Sequence, residues 1–176
     1  RLSGGVIATY NSIANIQNCV FYNSSAKRFG GAIYSICSKL NIYDSSFDIN
    51  DAKYGGAIYA NETTVNIKNS QFTNSQAFSF GGVIASFSSQ LDLNHAVFDG
   101  YASLNDAGGA IYVIRGTFQA VYSSFKNGYS EFGGAICNLK TVSTISNSEF
   151  TNNHATHYGG SIYNMYGSMV LTGNNR

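Results

Sequence analysis

An all-β fold, a right-handed parallel β-helix of about seven coils with three short strands in each, is what the 176-residue sequence predicts. Three observations predict it. A glycine pair recurs at 4/5, 30/31, 55/56, 81/82, 108/109, 133/134 and 159/160, and a fixed period of that length is the mark of a solenoid. Counting on from the second glycine, the same position in every complete repeat is a phenylalanine: Phe21, Phe47, Phe72, Phe98, Phe125 and Phe150. Between these markers the apolar residues alternate over short stretches bounded by Asn, Ser and Gly, which is strand patterning and not helix patterning. One such unit cannot enclose a core alone, whereas stacked units bury a continuous one. The expected organisation is a single solenoid domain over residues 1–176, with repeats starting at 4, 30, 55, 81, 108, 133 and 159 and no evident cap.

The first strand of each repeat centres on the glycine pair and carries Ile7, Ile33, Ile58, Ile84, Ile111, Ile136 and Ile162 in one column. The second ends at Ile16, Ile42, Ile67, Leu93, Ala120, Ile145 and Leu171, and the third at the phenylalanines. Equivalent residues of successive coils lie about 4.8 Å apart in such a fold, so each column is a ladder. Stacked phenylalanines contribute ~0.5–1.5 kcal/mol per pair beyond burial, and β-branched isoleucine suits a strand interior. Ahead of the third strand, the column Asn18, Asp44, Asn69, His95, Tyr122 and Asn147 predicts a corner with left-handed backbone. The next column, Cys19, Ser45, Ser70, Ala96, Ser123 and Ser148, predicts a tight bend with little room inside.

Two further expectations concern the flanks of the glycine pair. Phe29, Tyr54, Phe80, Ala107, Phe132 and Tyr158 precede it, and counting by two places them on the isoleucine face, with the second glycine making room between two large groups. Tyr34, Tyr59, Tyr112 and Tyr163, with Ala8, Ala85 and Cys137 in the other coils, would then form a flat exposed stripe on the opposite face. The distance from the second glycine to the phenylalanine is constant, whereas the distance on to the next pair varies. Length variation is tolerated where backbone runs over a surface, so this corner is expected to be a variable loop, with its longest version at 99–107, and to hold any coil-specific function.

Composition excludes several functions. Charged residues are 11% of the chain, with ten basic and nine acidic groups and a net charge of +1. Such a surface has no field to attract phosphate backbones, so nucleic acid is not an expected partner. No run of about 18 apolar residues is present, so no membrane-spanning helix is expected. The 44% hydrophobic fraction, with 13 Tyr and 12 Phe, argues against disorder. No signal-peptide pattern occurs, and one is expected to have been removed or to lie outside this stretch.

The repeats Gly30-Gly31-Ala32-Ile33, Gly55-Gly56-Ala57-Ile58, Gly108-Gly109-Ala110-Ile111 and Gly133-Gly134-Ala135-Ile136 occur with Phe47-Asp48-Ile49-Asn50 and Phe150-Thr151-Asn152-Asn153. This set resembles the Gly-Gly-Ala-Ile and Phe-x-x-Asn repeats of the chlamydial polymorphic membrane proteins and related secreted right-handed β-helix surface proteins. The resemblance runs over nearly the whole chain. It implies an extracellular or cell-surface β-helix, as found in adhesins and other surface proteins.

The chemistry-bearing residues do not assemble into a site. Asp44, Asp48 and Asp51 are the nearest approach to the gathered carboxylates that a polysaccharide-cleaving β-helix needs, but one repeat supplies all three. His154 and His157 have a spacing that can place two imidazoles on one ion, yet lack an acidic or cysteine companion. Calcium-binding Gly-Gly-x-Gly-x-Asp repeats and the threonine array of ice-binding solenoids are absent. Catalytic residues, metal and cofactor are therefore expected to be none. Cys19, Cys37 and Cys137 fall in three different columns, so no intrachain disulfide is expected. Asn23-Ser24-Ser25 and Asn61-Glu62-Thr63 are glycosylation sequons, both mapped to corners.

Bare strand edges at the two ends of a solenoid invite pairing with a second copy. A head-to-tail contact of this kind generates a filament. The expected function is a non-catalytic extracellular structural β-solenoid that assembles end to end as a homo-oligomer. The alternative is a cell-surface adhesin segment binding glycan or a host protein, and the third reading is a polysaccharide-cleaving enzyme.

Overall fold

The computed structural model describes residues 2–176, and every regular element among them is a β-strand. All strand pairings are parallel, and each strand pairs with its equivalent in the next coil. Ile7 sits opposite Ile33 and Ile33 opposite Ile58 in the first sheet, and Phe21 opposite Phe47 in the third. The repeat period is therefore the sheet register. The first sheet runs from Ile7–Tyr10 to Ile162–Met165, and the second from Ile13–Gln17 to Ser168–Thr172, with seven strands each. The third holds the phenylalanine column in six strands, from Val20–Tyr22 to Glu149–Thr151, so six turns are complete and a seventh is begun, in line with the expected count of about seven.

Left-handed corners shape the coil. The first glycine of each pair has positive φ, from 57° at Gly4 to 72° at Gly108. Asn18, Asp44, Asn69, His95, Tyr122 and Asn147 all lie between 48° and 53°, as the corner reading predicts even where the residue is His or Tyr. Two more left-handed columns were not foreseen: Asn11, Cys37, Glu62, Ser88, Arg115, Lys140 and Tyr166 after the first strand, and Asn23, Ile49, Asn74, Gly100, Asn127 and Asn152 after the third.

The small residue after a left-handed corner does more than fit a bend. The Ser70 hydroxyl donates to the Lys68 carbonyl at 2.9 Å and accepts the Ser45 amide of the coil below at 3.1 Å. Ser45, Ser123 and Ser148 repeat the pattern, as do Ser38, Thr63 and Ser89 one corner earlier. Each hydroxyl thus satisfies one backbone amide that the turn has taken out of the ladder. Ser70→Ala orphans the buried Ser45 amide, so we expect a loss of about 1–2 kcal/mol, read as a lower urea midpoint; Ser46→Ala, one residue past the ladder on the half-buried side, should shift it far less.

The Phe-x-x-Asn motif has a comparable role. Asn50 is fully buried; its side chain accepts the Ser24 amide at 3.0 Å and donates to the Phe21 carbonyl at 3.2 Å. Asn153 donates to the Phe125 carbonyl at 2.9 Å and accepts from the Gly128 amide and from the Tyr101 hydroxyl, two coils away. Each clamps its coil to the one below, just past the phenylalanine.

Inside, the six phenylalanine rings stack with centroids 4.5–5.0 Å apart and planes within 14° of parallel. Phe47, Phe72, Phe98 and Phe125 are completely buried, as are Ile33, Ile58, Ile84, Ile111 and Ile136, while Ile162 in the last coil is partly buried.

The expected variable loop is corrected. Beyond the phenylalanine the third sheet continues, through Asp51–Ala52, Gln76–Ala77, the second halves of Val97–Ser103 and Ser124–Phe132, and His154–Tyr158. Backbone sandwiched between two coils has to pair its amides and carbonyls with them, and strand is the way to do so. The extra length in 99–107 is confined to a bend at 104–106.

Candidate functional site

The residues before the glycine pairs do not share the isoleucine face. Strand alternation holds only through extended backbone, and the left-handed first glycine resets its parity. Phe29, Tyr54, Phe80 and Phe132 consequently turn outward and lean onto the tyrosine column. Phe29 lies 4.6 Å from Tyr59, Phe80 stacks on Tyr112 at 4.5 Å, and Phe132 lies 5.6 Å from Tyr163. The tyrosine stripe is therefore neither flat nor freely exposed: Tyr34, Tyr59 and Tyr163 are half-buried and Tyr112 is buried. Two columns of rings form one outer rail, with Phe29, Tyr54 and Phe80 stacked at 5.5 and 5.8 Å.

A mostly charged column runs beside the rail, one residue before each of its positions: Arg28, Lys53, Ser79, Asp106, Glu131 and His157. In the lower coils it is basic. The Arg28 guanidinium sits over the Phe29 ring at 5.0 Å and the Lys53 ammonium over the Tyr54 ring at 5.2 Å. Higher up it turns acidic.

Ala107 interrupts the rail. Where the other coils place an aromatic ring, this one has a methyl group, and a groove of about 270 Å³ opens between Phe80 and Phe132. Tyr112, Cys137 and Asp106 line it, and among its lining residues none is basic. The Asp106 carboxylate accepts a hydrogen bond from the Ser79 hydroxyl at 3.2 Å. Burial raises its pKa, the Ser79 bond opposes that, and the charge of Glu131 adds to it. Burial, followed by Asp106, pushes the Cys137 thiol up to about 12; burial, Cys137 and Asp106 do the same to Tyr112. At neutral pH the thiol is protonated, a form that neither attacks nor ligates.

The other chemistry-bearing residues are spoken for by the fold. Asp44 accepts from Asn69 at 3.2 Å, Asp48 from Thr73 and Asn74 at 2.7 and 3.0 Å, and Asp51 from Ser25 at 3.1 Å. These carboxylates join neighbouring coils. His154 stacks on Tyr129 and His157 on Phe132, each over its own ring. No group of three or more metal-ligating side chains is gathered among the described residues. Cys19, Cys37 and Cys137 are free thiols. Asn23 is exposed at a left-handed corner, and Asn61, half-buried, ends a first-sheet strand immediately before the left-handed corner at Glu62. Its Thr63 is 2% exposed, with the hydroxyl donating to the Asn61 carbonyl.

The rail was missed in the sequence because period-2 counting was carried through a glycine pair. The signal that could have found it is the glycine itself, whose left-handed preference warns that parity changes there.

Residues 147–165 match the family model described as the Chlamydia polymorphic membrane protein (Chlamydia_PMP) repeat. That stretch joins one copy of each motif, Phe150 to Asn153 and Gly159 to Ile162, and the register superimposes the remaining copies on it. The chain therefore resembles the repeat β-helix of the chlamydial polymorphic membrane proteins in sequence motif and in fold. No curated protein and no solved structure matches it. Among the described residues no helix is long and apolar enough to cross a membrane.

Proposed function

We propose that this chain is a non-catalytic structural β-solenoid of a cell-surface or extracellular protein, and that the 176-residue segment assembles end to end. The carrying observation is that the ladders continue to both end coils without a change of chemistry. Columns that are fully buried in the middle are open there: Val6 is 53% and Leu171 52% exposed, and Ile7, Ile162 and Met169 are only partly buried. A coil stacked on either face, whether from further chain or from a second copy, extends the same hydrogen bonds and the same phenylalanine stack. For the segment alone the second copy is the available partner, and the contact is heterologous and does not close. Sedimentation and electron microscopy of the purified segment should show concentration-dependent unbranched fibres, with an axial repeat of ~32–34 Å for seven coils at strand spacing. Monodisperse monomers at high concentration would refute assembly.

The outer rail favours a second reading, an adhesin segment that binds glycan or a host protein through its aromatic rings. Rings with one face available stack on apolar faces of a ligand while neighbouring carboxylates accept its hydrogen bonds. Carbohydrate chains at Asn23 and Asn61 belong to the same surface setting; one at Asn61 would stand between Ile36 and Phe87, beside the rail.

A further inference from the structure

We propose that the groove over Ala107 is a binding site for the guanidinium group of an arginine side chain presented by a protein or peptide partner. The shape argument comes from the column itself. The ring column has no member at Ala107, and Tyr112 covers the Phe80 face there by stacking on it at 4.5 Å, so the vacancy is a space for one planar group bounded by Tyr112 and Phe132. The charge argument comes from the flanking column. Where the rail has its own cations, Arg28 and Lys53 already lie over rings; at the vacancy that position is Asp106, Glu131 follows it, and no lining residue is basic. A planar cation satisfies both demands. Guanidinium stacks on aromatic faces and offers paired donors to a carboxylate, neither of which ammonium does as well. Asp106 is held ready by the Ser79 hydroxyl on one oxygen, and the Tyr112 ring forms the groove's wall.

The inference rests on the binding reading of the outer face and is independent of end-to-end assembly. The test is an NMR titration of the isotope-labelled segment with three probes. N-acetyl-arginine N-methylamide carries the planar cation, the citrulline analogue keeps the plane without the charge, and the lysine analogue keeps the charge without the plane. We expect the arginine probe to perturb the amides of Ala107, Tyr112 and Cys137 and to bind at least ten-fold more tightly than either analogue. Asp106→Asn should weaken it at least ten-fold. Ala107→Phe, which restores the ring found in the other coils, should abolish it with the melting temperature unchanged or raised, and Ala107→Leu should do the same if the phenylalanine variant does not fold. Equal binding of the citrulline or lysine analogue, undiminished binding to the filled variants, or no perturbation by the arginine probe would each overturn the proposal. Sedimentation of the same samples reports separately on assembly, so failure of one reading is distinguishable from failure of the other.

Discussion

Replacing Phe98 by aspartate is expected to unfold the middle of the solenoid under conditions in which the wild-type chain is fully folded. Phe98 is completely buried, with Phe72 and Phe125 each 4.9 Å from its ring. Removing a buried phenylalanine side chain costs about 3–5 kcal/mol through lost burial and the cavity left behind. Placing an unpaired carboxylate there adds a desolvation cost of several kcal/mol more. Because stability in a solenoid is a sum over coils and their neighbour interfaces, a defect at the fourth of six stacked rings removes interfaces on both sides. Circular dichroism during urea unfolding measures this as a midpoint lowered by most of its value or as loss of the folded baseline. The effect should also depend on pH with a defined sign. Burial raises the introduced carboxyl's pKa above its unfolded value, so the folded state binds more protons and stability rises as pH falls through the folded-state pKa. Partial rescue in acid is the signature. A midpoint that does not move would mean the phenylalanine column faces water.

That column was legible in the sequence because a solenoid converts sequence period into spatial register. Ile33 over Ile58 and Phe47 over Phe72 require nothing more than equal spacing. The left-handed corner at Asn18 and its equivalents was legible for a local reason, the backbone preference of asparagine, and the fold imposes the same angle on His95 and Tyr122. Hydrogen bonds between coils were not legible. Nothing in Ser70 taken alone says that its hydroxyl will accept an amide from the coil below, since that partner is 25 residues away and is set by the stacking. The candidate site failed on parity. Ala107 is visibly the odd member of an aromatic column, but a column assigned to the interior makes an alanine a core filler. Turned outward by Gly108, with φ of 72°, the same alanine becomes a gap in a surface.

The second glycine of each pair supports the other large prediction, and its reason is not the one that side-chain crowding suggested. At Gly82 an added Cβ would meet the Gly109 carbonyl oxygen at 2.0 Å and the Ala102 carbonyl oxygen at 2.5 Å, both backbone atoms. Neither can rotate away, so coils would have to separate, and with them the parallel ladder on each side. Gly82→Ala should cost about 3 kcal/mol, at the upper end of ordinary single substitutions, despite adding a single methyl to a residue whose φ is not left-handed. Gly160 is the matching control. It holds the same place in the last coil, where nothing is stacked above in this segment, and an added Cβ meets only the Asn153 carbonyl oxygen at 3.8 Å. There the gain from a stiffer unfolded chain, about 0.4–1 kcal/mol, is unopposed, so Gly160→Ala should leave the urea midpoint unchanged or raise it slightly. The difference between the two variants isolates the approach of one coil's backbone to the next from every local property of glycine. If they destabilise equally, the close approach is not what selects glycine here. Under conditions that drive end-to-end assembly the control should change character, because a coil from a second copy would then lie over Gly160. Gly160→Ala should weaken fibre formation while sparing the monomer, and fibres formed equally well by that variant would count against stacking through this face.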